Sequence, residues 1–200
     1  MKVILSRKGF DSGCGGYPSP IIPDGRLISL PIPSDDKAKY SDLQFDKNQT
    51  YFDLMGELKS KIRYRKKWHE LKKNNECHLD PDLYKNILQR NKDWKPCFGQ
   101  INQSQSHLVN EGVKKNDLFL FFGWFKKTIL KNGKFQFDIS APDLHIIFGY
   151  LQIGDIIQIN NNTKIPNWMK NHPHANNEDY KKIITNITWI LTSNATALVN

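Results

Sequence analysis

The sequence predicts an α+β protein: a mainly antiparallel sheet or partly closed barrel, accompanied by one long basic helix. Three observations carry this reading. Apolar runs at Val113–Phe125, Leu144–Ile159 and Lys181–Leu191 are rich in β-branched and aromatic residues and bounded by turn formers. Asn132-Gly133 supplies the two-residue turn that favours a hairpin across Lys126–Asp138. Between Thr50 and Lys73, Leu54, Leu58 and Ile62 recur at i, i+4, the spacing of one helix face, with Asp53 near its start.

The chain of 200 residues is read as a single domain, 1–200, large enough for a core and without internal repeats. It stops at Ala197-Leu198-Val199-Asn200 without a polar tail, so the natural domain is expected to run past Asn200. A net charge of +9 points to an anionic partner, nucleic acid first. Because 24 of the 29 cations are lysine and asparagine is abundant, an AT-rich codon bias offers a second source for that charge. Three irregularly spaced cysteines, no apolar leader and no membrane-length apolar run predict a cytoplasmic chain in a reducing compartment.

The densest chemistry lies in the opening stretch. After the strand KVIL comes SRKGFDSGCGGYPSP, which packs Ser6, Arg7, Lys8, Gly9, Asp11, Ser12 and Cys14 among further glycines. Glycine lets backbone approach a ligand, so the loop is read as wrapping a phosphate or base with its N–H groups, or as a plain turn between strands. No Gly-Lys-Ser/Thr follows, which excludes a P-loop. Downstream, Pro23-Asp24-Gly25 reads as a turn between extended pieces. The predicted helix carries Lys59, Arg63, Lys66 and Lys67 with Tyr64 and Trp68 among them, a mixture suited to phosphate contact and stacking, or to a solvated face.

In CHLDPDL, His78 near Asp80 and Asp82 forms a candidate acid/base pair, while Asp80 before Pro81 reads as a helix N-cap. Pro96–His107 reads as an amide-rich loop ending in His107. His172 and His174 flank Pro173 in an apparently extended segment, which would place both imidazoles on one side about 7 Å apart. With Trp168 they suggest a binding groove. No cofactor is predicted; a divalent metal shared with His78, His107 or Cys97 is the minor alternative, since no metal-binding spacing supports it.

Taken in order, SRKGFDSGCGGYPSP, DGRLISLPIPS, HLDPDL, Phe98–Leu108, NDLFLFFGWF, HIIFGYLQIGDI and NHPH resemble the third type of nucleotide modification associated domain, over most of the chain. That resemblance implies a phage or bacterial protein of a DNA modification system, with DNA or a nucleotide as substrate and other modification proteins as possible partners; it assigns no catalytic residue. The strands from Val113 are also similar to base-reading PUA-like barrels. Two functions follow. In the catalytic one, Arg7 and Lys8 anchor the substrate, Asp11 or His78 is the base and His172 or His174 the acid, with Ser6, Gly9, Ser12, His107, Trp124 and Trp168 around the ligand. In the other, a non-catalytic reader holds a flipped or modified base against Trp124, Tyr150 and Trp168 while the basic helix grips the DNA backbone.

Overall fold

A computed structural model describes residues 1–159, 162–176 and 188–192. The strands are β1 (Val3–Arg7), β2 (Ser19–Ile21), β3 (Gln44–Asp46), β4 (Gln49–Thr50), β5 (Lys61–Tyr64), β6 (Lys67–Glu70), β7 (Cys97–Gln100), β8 (Leu118–Lys131), β9 (Lys134–Phe137), β10 (Asp143–Gln152), β11 (Asp155–Ile159) and β12 (Thr188–Thr192). The helices are α1 (Tyr51–Leu58), α2 (Asn102–Asn110) and the single turn α3 (Pro173–Asn176). The largest sheet has the order β1-β8-β10, with β2 and β9 also paired to β8. A second sheet runs β11-β12-β7, antiparallel throughout. No helix among the described residues is long and apolar enough to cross a membrane.

This architecture corrects the expected fold in two respects. Strand β2 runs parallel to β8, pairing Ser19 with Phe125, so the core sheet is mixed, and the described strands form no closed barrel. The long basic helix is also absent. Helix α1 starts on a capping box in which the Thr50 side chain accepts from Asp53 N–H and Asp53 reaches back to Thr50, and it ends after Leu58, with Lys59 already extended. The basic residues beyond form the β5–β6 hairpin, turning at Arg65 and Lys66, both at positive φ. The sequence here satisfies two periods. Ile62 continues the i, i+4 row of α1, yet Lys61-Ile62-Arg63-Tyr64 also alternates with period two, and the strand buries Ile62 to 2% exposure. Arg65, Lys66 and Lys67 lie exposed at the turn of this hairpin and the start of β6.

The Asn132-Gly133 hairpin forms as expected between β8 and β9, both turn residues at positive φ. Gly123 marks a close backbone approach, since a Cβ there would lie 2.8 Å from the Lys8 carbonyl. The Pro96–His107 stretch is not a loop: it holds β7 and α2, whose buried face is only Gln105 and Leu108, too few apolar residues to register as a period.

The chain forms two compact units. One comprises 7–78 and 121–148. Its core gathers Phe10, Tyr17, Leu30, Tyr40, Leu54, Met55 and Phe121, with Phe10 edge-on to Tyr17 at 5.1 Å. The other comprises 1–6, 79–120 and the described residues from 149 onward, and buries Phe98 edge-on to Phe119 at 5.0 Å, with Leu151 and Ile153.

In the second unit Asp117, 2% exposed, accepts Lys2 N–H at 2.7 Å and Lys114 N–H at 3.0 Å, which holds its carboxyl below the ordinary value. A lowered folded-state pKa contributes stability above the unfolded value near 3.9 that disappears as pH falls through the depressed one. Asp117→Asn is therefore expected to lose about 1–3 kcal/mol near neutral pH. In urea titrations the gap to the parent should narrow as pH drops below about 4, and a pH-independent gap would contradict this role.

Candidate functional site

The second unit carries a buried cluster of ionisable groups. The side chain of Asp80 is 0% exposed and accepts the Gly99 N–H at 2.7 Å. Strand β7 fixes that donor, since its pairing with β12 sets Gly99 opposite Ile190. Two imidazoles flank the carboxylate on its separate oxygens: His172 Nε2 lies 3.4 Å from Oδ1 and His174 Nε2 3.7 Å from Oδ2. Their ring centroids are 5.7 Å apart. His172 is 3% exposed, and neither of its ring nitrogens makes a hydrogen bond. A buried polar atom without a hydrogen bond is costly in a purely structural role.

Local sequence explains the seating. A 3-10 turn at Asn167–Met169 is followed by His172 N–H donating to the Met169 carbonyl and Ala175 N–H to that of His172, which winds the chain into α3. Pro173 therefore opens a helical turn. The extended geometry expected around it is overturned, although the two histidines do face a common partner. A Cβ at Gly99 would lie 2.2 Å from His174 Cδ2, so only glycine lets the imidazole pack onto the strand. Asp80 is no helix cap, because an irregular segment follows Pro81; its carboxylate serves β7 instead.

His172 also lines a cavity of about 200 Å³ in the same unit, with Gln89, Arg90, Asn91, Trp94, Trp168 and Asn171 among its other walls. One wall is rigidly built. Arg90 donates twice to Asp82, Nη1 to Oδ2 at 2.8 Å and Nη2 to Oδ1 at 2.5 Å, and its guanidinium lies 4.7 Å from the Trp94 ring centre. Burial pushes the Asp82 carboxyl up, with Arg90 working against it. Cys97, also on the cavity lining, is pushed up by burial and by Asp82 and Asp80, so it remains a thiol and not a nucleophile. The cavity thus combines two indoles, three amides and one imidazole backed by a carboxylate. Asp80 with either histidine offers oxygen and nitrogen ligand atoms to a divalent cation, and the same set is suited to moving a proton.

Of the residues singled out in the sequence, Trp168, His172 and His174 meet here. His107 is exposed on α2 of the same unit, and Ser6 is half-buried in β1. Arg7, Lys8, Gly9, Asp11, Ser12, His78 and Trp124 belong to the other unit. There Arg7 is exposed at the end of β1, Lys8 N–H donates to Phe122, and Trp124 is half-buried in β8. His78 Nδ1 lies 2.7 Å from Asp36 Oδ2, a carboxylate 42 positions away in the chain. Asp11 accepts from Gly13 and Cys14 N–H, while Asp11, Gly15 and Gly16 donate to carbonyls at Cys14, Arg63 and Asp11. Those amides are spent within the fold and form no phosphate cradle. Lys59, Arg63, Lys66 and Lys67 lie on or beside the β5–β6 hairpin. Asp80 was weighed only beside His78 or as a cap, and Trp94 and the amides Gln89, Asn91 and Asn171 were missed; only the clustering of Trp, Asn and Gln near HLDPDL and NHPH hinted at these.

Gly99→Ala is expected to destabilise the protein by about 1–3 kcal/mol, because Cβ overpacks His174. An unchanged urea midpoint would show that the imidazole does not rest on β7.

Neither curated proteins nor solved structures provide a match to this chain. A family model does, over residues 2–197, a span that includes Asp80, Gly99, His172 and His174. The chain belongs to the nucleotide modification associated domain 3 family.

Proposed function

We propose that the protein acts on a nucleobase or nucleotide within a DNA modification system, and that the cavity beside His172 receives the base. The observation that carries this reading is the composition of the cavity wall: Trp94 and Trp168 offer π-faces, and Gln89, Asn91 and Asn171 offer paired donors and acceptors. Bases are held by stacking and by hydrogen bonds to their edges, which are the two interactions these side chains provide. Membership of a nucleotide modification family supports the same substrate class.

Within this reading His172 is the catalytic residue, a general acid or base that reaches the ligand from the cavity wall. Asp80 is the positioning residue, 3.4 Å behind Nε2, and its own orientation is set by the Gly99 N–H. Arg90 holds Trp94 in place through Asp82. The alternative of a non-catalytic reader uses the same cavity without proton transfer. The buried carboxylate beside His172, suited to moving a proton, favours the catalytic reading over this one.

Nucleosides and nucleoside monophosphates should bind the intact chain in saturation-transfer NMR. Trp168→Ala is expected to weaken binding about tenfold, in line with about 1–3 kcal/mol for a stacked base. His172→Ala should retain binding. No binding by any of the four common bases or their nucleotides, or binding indifferent to Trp168, would contradict the proposal.

A further inference from the structure

The β5–β6 hairpin is a surface that the cavity does not use. Between Lys59 and Lys73 the chain carries eight cations and a single acid, Glu70. Several of these charges are already engaged: Arg65 pairs with Asp35 and lies over the Tyr64 ring, Lys61 pairs with Glu70 at 3.2 Å, and Arg63 Nη1 donates to the Ser12 carbonyl. Lys66 and Lys67 stand exposed at the turn. Charge alone would describe a solvated edge. A second feature points to a ligand. Trp68, cross-strand from Arg63, is 53% exposed, although indoles are normally among the more buried side chains.

The exposure is built into the fold. The hairpin is laced to the opening loop by Gly15 N–H to the Arg63 carbonyl at 2.8 Å and Arg63 N–H to the Gly15 carbonyl at 3.0 Å. Gly16, at φ 88°, then brings bare backbone under the indole: a Cβ there would lie 2.4 Å from Trp68 Cη2 and 2.9 Å from Arg63 Cβ. One edge of the ring is seated and the rest is presented to solvent. An indole fixed by glycine backbone beside exposed lysines offers the two elements of single-strand recognition, a stacking platform and phosphate neutralisation.

We infer that this hairpin, with the glycine-rich loop as its support, binds single-stranded nucleic acid, Trp68 stacking on a base and Lys66 and Lys67 contacting phosphates. Paired bases present no free face, so a duplex is the poorer ligand. The inference stands apart from the cavity reading.

It is tested by fluorescence anisotropy of a labelled oligodeoxythymidine of about 20 nucleotides with the full chain, against the same length of duplex and against phosphatidylserine vesicles. Trp68→Ala should weaken single-strand binding about 5- to 150-fold, with recovery in Trp68→Phe. Reversing Lys66 and Lys67 to Glu should make the slope of log K against log salt shallower by about 1.4. Neither change should alter nucleoside binding in the cavity. No oligonucleotide binding, binding indifferent to Trp68, tighter duplex binding, or binding to vesicles alone would each overturn the inference. If nucleoside binding persists in those cases, the cavity reading survives; loss of nucleoside binding with oligonucleotide binding intact would reject that reading alone.

Discussion

The second unit is organised around one buried carboxylate. Asp80 has no solvent, and a carboxylate in that position is tolerated only where donors or positive charge surround it. The Gly99 N–H supplies one such donor from the middle of β7, and the two histidines approach the separate oxygens. That requirement explains several otherwise unrelated features. Position 99 lacks a side chain so that His174 can pack on the strand, and His172 and His174 are wound into a turn that brings them to one partner. The cluster therefore couples backbone geometry to chemistry, and a change at any member shifts the others.

The cavity next to it is built by a different principle. Arg90 and Asp82 are both almost fully buried and joined by two hydrogen bonds, so breaking the pair would strand a charge away from water. Their fixed geometry sets the plane against which Trp94 lies. The result is a rigid aromatic wall facing adaptable amides on the exposed rim at Gln89, Asn91 and Asn171. Among the described residues only His172 is shared between this wall and the Asp80 cluster, which makes it the point where a bound ring would meet a group able to exchange a proton.

How much of this could be read in the sequence depended on whether the determinant was local. The β8–β9 hairpin was legible because Asn132-Gly133 specifies its own turn. The basic segment misled because Ile62 fits both a helical row and a strand alternation, and only the long-range bridge from Gly15 to Arg63 decides between them. The opening loop was rightly singled out as unusual, but its glycines answer to packing: Gly15 against Phe10, Gly16 against Trp68. His172, His174 and Trp168 stood out by residue type, whereas Asp80 did so only as a companion of His78. Its role depends on Gly99, 19 positions away, and a local N-cap motif accounted for it equally well.

His172, oriented by Asp80, is proposed to do chemistry on a base in this cavity. The most direct test is mass spectrometry of nucleosides from DNA of cells carrying the parent gene or the His172→Ala gene, with protein levels matched. The expected result is a nucleoside whose abundance depends on the parent protein and returns to the gene-deleted level with His172→Ala. Identical nucleoside profiles for the parent and His172→Ala, both differing from the gene-deleted strain, would contradict it.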